Sequence, residues 1–309
     1  MTTKLDLEQF EKDPNLFLER IIKDYAASSP GNSLPDFDGI RIFDEPLVGF
    51  ADGDDAIFQD YKNREIIGEF HMTPREALEK YLRSKGREEG LAERPVSVIS
   101  MIMPVSREIR LSQRRESRVP SFQWNRMRWK GEDFINELSR YLVSLLEELG
   151  HEAVVPDLTE FFGATEVNGI RRSNWSHRHM AYAAGLGTFS LTDAFISRRG
   201  IAERCGSVVT DVALTPTPRI YENHLANCLF YREGTCGRCI ERCPSGAISE
   251  RGHDKKRCRE WLLFEQPEVA KEIGRGEGYI GKYLGCGLCQ TKVPCEDRIP
   301  PDGSGKPRD

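Results

Sequence analysis

Hydrophobic and polar positions follow the periods of both helices and strands along this chain. Over residues 13–25, apolar side chains recur every three to four positions behind Asp13 and Pro14, which predicts a capped helix. Residues 96–105 form an almost continuous apolar run rich in β-branched side chains, which is typical of a buried strand. Residues 132–149 place Phe134 and four leucines on one stripe before Gly150, which predicts an amphipathic helix.

Shorter segments complete a mixed pattern of helix and sheet. Thr73-Pro74-Arg75-Glu76 is a capping box that opens a helix ending at Gly86. A further helix is predicted over residues 174–185, and short strands are predicted over residues 40–43, 47–50, 153–155, 195–196 and 207–214. The order strand, helix, strand after residue 95 predicts an α/β layer.

The length of 309 residues favours more than one domain. The proline-rich residues 215–219 mark a boundary, because prolines cluster in linkers and turns. We therefore expect a mixed, partly helical extension over residues 1–94, an α/β domain over residues 95–219, and a cysteine-rich domain over residues 220–309.

The overall charge argues against a general nucleic-acid binder. There are 44 Lys and Arg residues against 49 Asp and Glu, a net charge of -5, so any site for a polyanion has to be local. Residues 107–130 carry eight Lys or Arg against two Glu, interleaved with Phe122, Trp124 and Trp129. That segment either binds a polyanion or is a solvated loop whose aromatic side chains lie in the core.

Two sequence features bear on location. The longest apolar run, residues 96–105, is too short to span a bilayer. The first residues lack the basic start, apolar stretch and cleavage site of a secretory signal. We expect a cytoplasmic protein without a membrane contact.

The cysteines are concentrated at one end of the chain. None of the nine precedes Cys205, and eight lie between Cys228 and Cys295. In a reducing compartment, thiolates at short spacing indicate iron–sulfur clusters or zinc rather than disulfides. The ninth, Cys205, is expected to be a small buried residue, with a reactive thiol beside Arg204 as the alternative.

The spacing within the cysteine region favours iron–sulfur clusters. Cys236-x2-Cys239-x3-Cys243-Pro244 is similar to the second half of the bacterial ferredoxin run, with Cys228 as a more distant first ligand. In two-cluster ferredoxins the fourth cysteine of a run binds the other cluster, so we expect two [4Fe-4S] clusters with crossed ligands. The first set is Cys228, Cys236, Cys239 and Cys295, and the second set is Cys243, Cys258, Cys286 and Cys289. A pair of zinc sites is the alternative.

These motifs give the chain a family resemblance. It resembles the corrinoid iron–sulfur reductases, namely epoxyqueuosine reductases and reductive dehalogenases, over roughly residues 95–300. The resemblance depends on the order of the eight cysteines, on Arg178-x2-Ala181-x2-Ala184-Gly185-Leu186-Gly187, and on the strand at residues 209–214.

The resemblance implies a nitroreductase-like α/β domain followed by a ferredoxin-like domain, with cobalamin between them. The clusters would reduce the cobalamin to Co(I) for a reductive step on the substrate. It also implies a corrinoid site at the turn that follows the helix; the residues concerned are Arg178, Ala184, Gly185, Leu186 and Gly187. A ferredoxin or flavodoxin is the implied electron donor.

The chain also departs from that family. Residues 188–192 replace the Gly-Lys-Asn that follows the turn in epoxyqueuosine reductases. We also expect no counterpart of the helical-repeat extension that helps those enzymes to hold tRNA. We therefore expect neither epoxyqueuosine as substrate nor nucleic acid as partner. The haloorganic alternative is weakened too, because reductive dehalogenases are usually exported.

Three side chains are candidates for moving protons. Asp157 follows a predicted strand and is either a proton donor or a helix cap. His177 could face the cofactor as an acid, and Tyr182 could donate a proton or be a core aromatic. Motifs for nicotinamide, nucleoside triphosphate and serine hydrolase chemistry are absent from the sequence.

The sequence thus predicts an iron–sulfur oxidoreductase that passes electrons through two clusters to a corrinoid and reduces a small molecule of unassigned identity. The alternative is an electron-transfer protein without corrinoid or substrate chemistry.

Overall fold

Helices and short strands alternate through the chain in the structure, a computed structural model that describes residues 4–87, 90–167, 169–276, 278–279 and 285–301. The helices are α1 (Lys4–Lys12), α2 (Pro14–Ser28), α3 (Ile57–Asp60), α4 (Pro74–Ser84), α5 (Arg107–Arg114), α6 (Phe122–Glu148), α7 (His177–Ala183), α8 (Leu229–Glu233), α9 (Arg238–Arg242), α10 (Lys255–Glu260) and α11 (Gln266–Glu272). The strands are β1 (Ser33–Leu34), β2 (Ile40–Arg41), β3 (Leu47–Asp52), β4 (Ser97–Pro104), β5 (Ala153–Val154), β6 (Ala164–Val167), β7 (Ile170–Ser173), β8 (Gly187–Phe189), β9 (Phe195–Ser197), β10 (Glu203–Thr210), β11 (Ile248–Ser249) and β12 (Gly252–His253).

The centre of the molecule is a four-stranded antiparallel sheet in the order β3-β4-β10-β5. β4 and β10 pair along their whole length, from Glu203 opposite Pro104 to Thr210 opposite Ser97. Every residue of β4 is buried, as its apolar sequence requires of a strand that helices cover on both faces. Because β3 pairs with β4, residues before position 95 belong to the same layer as those after it.

Alternate residues of the central strands supply two separate cores. Ile99, Met101 and Val208 point to one face, where they pack with α2 and α6. Val98 and Val209 point to the opposite face, where they pack with α4 and α7. The period of two along a strand produces this division, so each face of the sheet has its own helical cover.

α6 is longer than the sequence pattern predicts. It begins at Phe122 rather than at residue 132, because the Ser121 side chain accepts a hydrogen bond from the Trp124 backbone and caps the helix. Trp124 and Met127 extend its buried face towards the N-terminus. Most of residues 107–130 is therefore helical, in α5 and the start of α6, rather than a solvated loop.

β10 and α7 also differ from the predicted bounds. β10 spans Glu203–Thr210, whereas the prediction was residues 207–214, and α7 is shorter than residues 174–185. Thr210 ends the strand because its side chain turns to the Glu152 carbonyl oxygen and the chain leaves the sheet at Asp211. The predicted combination of helix and sheet is confirmed, while its nitroreductase-like and ferredoxin-like character stays a prediction.

A third apolar cluster joins two parts of the chain. We call residues 220–301 the cysteine region, and the earlier part that carries the central sheet the sheet domain. Leu191, Ile196 and Ile201 from the sheet domain pack with Ile248 and Val293 of the cysteine region. Five of the cysteines contribute to or contact this cluster, so their sulfur atoms lie in apolar surroundings: Cys228, Cys239, Cys243, Cys289 and Cys295.

α6 is the longest helix in the part of the chain that the structure describes. α6 is 27 residues long and carries charged side chains throughout its exposed face. In the described ranges, no helix combines the length and apolar character that crossing a membrane requires.

The packing of α6 can be tested at Leu138, whose side chain is completely buried against the sheet. Leu138→Ala is expected to lower the free energy of unfolding by about 2–5 kcal/mol, because it leaves a cavity in the core. Urea denaturation followed by circular dichroism measures the loss. Arg140→Ala, at an exposed position of the same helix, is the control and should change stability by less than about 0.5 kcal/mol. Equal stabilities for the two variants would contradict this packing.

Candidate functional site

Short helices and turns present the eight clustered cysteines. Cys228 precedes α8, Cys239 lies within α9, and Cys243 follows α9 directly. Cys258 lies within α10. Cys286 and Cys289 flank the turn at Gly287, whose φ of +62° favours glycine. Cys236 and Cys295 lie in the connections beside these helices.

The cysteines gather into two groups of four. The first group, Cys228, Cys236, Cys239 and Cys295, lines one cavity together with Leu191, Ile196 and Ile201. The second group is Cys243, Cys258, Cys286 and Cys289, each of which lies close enough to affect the ionisation of others in the group. These are the two sets that the ferredoxin pattern predicts as ligand sets, and their role as ligands stays a prediction.

Burial and the neighbouring cysteines raise the pKa of four of these thiols, which are Cys239, Cys286, Cys289 and Cys295. Burial raises the pKa of Cys239 to about 12, and the neighbouring Cys228 and Cys236 add to the rise. The pKa of Cys286 is also raised to about 12, by burial first and then by Cys258 and Cys243, against a backbone N–H that lowers it. A bound iron centre would supply the positive charge that adjacent thiolates need, so the donor set is compatible with iron–sulfur chemistry. Within the described ranges, no three His, Cys, Asp or Glu side chains converge as a single metal ion requires.

A cavity of about 510 Å³ opens beside α7, between the sheet domain and the cysteine region. We call it the α7 cleft. Its lining includes Ile57, Asp60, Tyr61, Glu65, Ile66, Arg178, His179, Tyr182, Phe189, Ser190, Asp193, His224, Leu225, Tyr231 and Lys255. Its volume lies in the range of small-molecule and cofactor sites.

Aromatic rings form one wall of the α7 cleft. The His179 ring centroid lies 4.8 Å from that of Tyr61 and 4.8 Å from that of Phe189, and Tyr182 lies 6.0 Å from Phe189. Burial, with His71 and Arg178 nearby, holds the pKa of His179 well below its usual range, so the ring is neutral at pH 7. The wall therefore suits a planar ligand that stacks.

A charged bridge connects this cleft to the second cysteine group. Asp193 accepts hydrogen bonds from Lys255 at 3.2 Å and from His253 Nδ1 at 3.3 Å, and its carbonyl oxygen accepts one from Arg178. Burial alone would lower the pKa of His253, but hydrogen bonds to Asp193 and Cys258 raise it to about 9. A protonated His253 thus lies between the cleft wall and a cysteine of the second group.

Asp157 and His177 meet on the other side of α7. His177 Nε2 lies 3.0 Å from Asp157 Oδ2, and His177 Nδ1 lies 2.8 Å from Ser207 Oγ. Burial alone would raise the pKa of Asp157, but His177 holds it below its usual value. Burial alone would lower the pKa of His177, but Asp157 holds it above its usual value. The two side chains form a partly buried ion pair near neutral pH.

The order Asp157, His177, Ser207 has the connectivity of a serine-hydrolase triad. However, Ser207 is fully buried within β10, and its hydroxyl oxygen accepts a hydrogen bond from Trp175 Nε1 at 3.1 Å. A buried hydroxyl that is already held in this way cannot reach a substrate carbonyl, so hydrolase chemistry does not follow from this arrangement.

The glycines of the turn after α7 make close contacts with protein backbone. Gly185 has φ +69°, and a Cβ atom there would lie 2.5 Å from the Pro218 carbonyl oxygen. A Cβ atom at Gly187 would lie 2.3 Å from the Ile196 carbonyl oxygen. Ala184 and Leu186 pack against β3 at Gly49. Of the predicted corrinoid-binding residues, Arg178 alone lines the α7 cleft; the contacts described for the other four are packing contacts.

Two further sequence interpretations can be located. Cys205 lies in β10 opposite Ile102, half-buried against the core, and burial raises its pKa, as expected of a core thiol.

The basic run of residues 107–130 is largely paired within the molecule. Its ion pairs are Arg110 with Glu296 and Asp297, Arg114 with Glu296, Arg118 with Glu272, Arg126 with Asp36, and Arg128 with Glu132.

Sequence reasoning missed several residues of the α7 cleft and of the charged bridge beside it. Tyr61, Asp193 and Lys255 of the cleft and His253 of the bridge come from distant parts of the chain and carry no motif. Asp193 adopts a left-handed φ of +56°, which aspartate tolerates better than most residues, but this conformation is visible only in the structure.

Comparison with known proteins supports the resemblance. The chain is 29% identical over 177 residues to an epoxyqueuosine reductase from Synechocystis, covering 57% of this chain and 55% of the relative. It is 26% identical over 168 residues to an epoxyqueuosine reductase from Bacillus anthracis, covering 52% of this chain and 36% of the relative. This chain is similar in sequence to epoxyqueuosine reductases. The matched part spans about half of the first relative and about a third of the second.

Two solved structures of epoxyqueuosine reductases align with most of this chain at TM-scores below 0.5. A selenomethionine-labelled one matches at 18% identity and a TM-score of 0.43, covering 94% of this chain and 71% of the other. Another, which contains a tRNA-Tyr epoxyqueuosine-modified stem loop, matches at 17% identity and a TM-score of 0.45, covering 94% and 70%. No protein-family model matches the chain.

One expectation from the sequence is wrong. The charge balance and the departures from the family led us to expect no nucleic-acid partner, and the tRNA stem loop in one of these reductase structures stands against that expectation. Net charge averages over the whole surface, so it does not exclude a local site for a nucleotide.

The Asp157–His177 ion pair makes a testable contribution to stability. His177→Gln is expected to lower the free energy of unfolding by about 1–3 kcal/mol, because it leaves the carboxylate without its charged partner. The raised pKa of His177 makes its contribution complete below about pH 6.5, and the contribution disappears as pH rises through the raised value. The lowered pKa of Asp157 makes its contribution complete above about pH 4, and the contribution is lost at more acid pH.

Urea titrations of the wild type and His177→Gln from pH 4 to pH 9 measure this dependence. The difference in stability should be largest between about pH 4 and 6.5 and should shrink at higher pH. His224→Gln, at an exposed histidine, is the control and should show little difference at any pH. A difference that grows with rising pH would contradict the ion pair.

Proposed function

We propose that this protein is an iron–sulfur oxidoreductase that delivers electrons to a substrate bound in the α7 cleft. The observation that carries the proposal is the contact of Asp193, in the cleft wall, with His253, which in turn contacts Cys258. This contact puts the cleft next to the second cysteine group. The sequence similarity to proteins named as reductases supports the same conclusion.

The ligands that we propose for the two [4Fe-4S] clusters are the two cysteine groups. The grouping of the sulfur atoms, their apolar surroundings and the ferredoxin-like spacing all support this assignment. In this arrangement both clusters would border the cleft, the second through His253 and Cys258 and the first through Ser190, which lines both cavities.

The corrinoid implied by the family resemblance would also belong in the α7 cleft. The aromatic wall of His179, Tyr182 and Phe189 suits a planar ring, and Arg178 and Lys255 suit an anionic or amide-bearing periphery. When bound, a corrinoid supplies a strongly reducing metal centre for the final electron transfer. The residues of this chain bind and orient the group and exclude water from it.

For the substrate we propose epoxyqueuosine in RNA, in place of the small molecule expected from the sequence. The two curated relatives are named for the reduction of that epoxide. The reaction takes two electrons and two protons: both carbon–oxygen bonds of the epoxide break, a carbon–carbon double bond forms, and the oxygen leaves as water. The electrons would come one at a time from the two clusters.

Tyr182 is the proton donor that we propose, because its ring lines the cleft. Asp157 and His177 lie behind α7, where we propose that they hold the start of the helix and therefore Arg178 in position. This division separates a catalytic phenol from a supporting ion pair.

The proposed role of Tyr182 predicts a specific loss of activity. Tyr182→Phe is expected to lower kcat by about 10²- to 10⁴-fold, the usual contribution of general acid catalysis, without changing iron content. The assay incubates an RNA stem loop that carries epoxyqueuosine with the reconstituted protein and a chemical reductant under anaerobic conditions. Mass spectrometry of the nucleosides then measures the loss of one oxygen.

Tyr81→Phe, at a tyrosine that contacts Glu147 away from the cleft, is the matched control and should react at the wild-type rate. A Tyr182→Phe variant as fast as the wild type would refute the role of that residue. A wild type with full clusters but no conversion of the RNA would refute the proposed substrate.

A further inference from the structure

α5 (Arg107–Arg114) contacts the connections that carry both cysteine groups. Its arginines face the segment after Cys295, and its buried Gln113 faces the turn that contains Cys286. The helix is part of the sheet domain and packs against α6. It therefore links one rigid layer to ligands of both proposed clusters.

The first contact is an ion-pair cluster around Glu296, which is almost fully buried. Arg114 Nε donates to both carboxylate oxygens of Glu296, at 2.9 Å and 2.7 Å, and Arg110 donates to Oε1 at 3.2 Å. The Lys292 backbone N–H donates to Oε2 at 2.6 Å. A carboxylate held by four hydrogen bonds in a buried position has little freedom, and Cys295 is its direct neighbour in the chain.

The backbone of the same segment is attached to the sheet domain. The Ile201 N–H donates to the Cys295 carbonyl oxygen at 2.7 Å, and the Ala202 N–H donates to that of Glu296 at 3.1 Å. A Cβ atom at Gly200 would lie 2.4 Å from the Glu296 carbonyl oxygen, so glycine permits this approach. Cys295 thus reaches the first group from a segment fixed to the sheet domain.

The second contact involves Gln113, whose side chain is fully buried. Its Nε2 donates to the Cys286 carbonyl oxygen at 2.8 Å, and its Oε1 accepts from the Ser121 N–H at 2.7 Å. Nearby, a Cβ atom at Gly287 would lie 2.3 Å from Trp124 Nε1, so the turn lies directly against α6. Both polar ends of Gln113 are used, which fixes Cys286 relative to the start of α6.

We propose that α5 is a positioning helix for both clusters and that it acts through two separable contacts. Arg114 and Glu296 position Cys295 for the first cluster, and Gln113 positions Cys286 for the second. The inference rests on the ligand assignment proposed above. It adds that each cluster depends on its own contact with the sheet domain, although the cysteines themselves lie in the C-terminal region.

Two variants test the two contacts separately. Glu296→Gln should lose the first cluster and keep the second, while Gln113→Leu should lose the second and keep the first. In each case iron and sulfide per full-length chain, after anaerobic reconstitution, should fall by about half, since each cluster holds four irons. Arg118→Gln, which removes an exposed ion pair with Glu272, is the control and should keep full iron content.

Two reference variants identify which cluster remains. Cys228→Ser removes a proposed ligand of the first cluster, and Cys258→Ser removes one of the second. The electron paramagnetic resonance spectrum of reduced Glu296→Gln should match that of Cys228→Ser, and the spectrum of Gln113→Leu should match that of Cys258→Ser. The milder Arg114→Gln and Gln113→Asn repeat the comparison if circular dichroism finds either first variant unfolded.

Variants with full iron content and wild-type spectra would overturn the positioning role of α5 and leave the ligand assignment intact. Folded variants that each lose both clusters would also overturn it, because the two contacts would not be separable. A reconstituted wild type without clusters would refute the ligand assignment, and the inference with it.

Discussion

Four thiols held together in apolar surroundings cannot all ionise unless a positive charge lies among them, and this constraint governs how the chain is folded. Each group draws sulfur atoms from segments far apart in sequence, so the connecting loops have to be fixed from outside. The sheet domain does this through the backbone of Ile201 and Ala202 and through α5. The packing around the central sheet thereby holds the backbone beside the cysteines in place.

α7 divides the chemistry of the molecule into two sides. One side turns to the sheet, where Asp157, His177 and Ser207 form a closed hydrogen-bonded set. The other side turns to the α7 cleft, where rings and charged groups meet the cysteine region. Because α7 contributes side chains to both regions, a change in its position would alter the lining of the α7 cleft and the packing of the core together.

Much of this arrangement was predictable from the sequence, and the division has a physical reason. Apolar periodicity located β4 and the body of α6, and cysteine spacing separated the two sulfur groups, because these are repeated local patterns. The start of α6 was missed, since Ser121 acts as a cap only when the residues around it are already helical. The Asp193–His253 bridge and the Glu296 cluster join residues that are distant in sequence, so no local sequence pattern predicts them.

The internal pairing of the basic run also determines how the protein would approach a polyanion. Arg110, Arg114 and Arg118 already face carboxylates of the same chain, so few of their charges remain to displace counterions from a phosphate backbone. If the proposed substrate is correct, this segment would contribute little salt-dependent, long-range attraction to RNA. Recognition would then depend more on short-range contacts with an unpaired base, such as stacking.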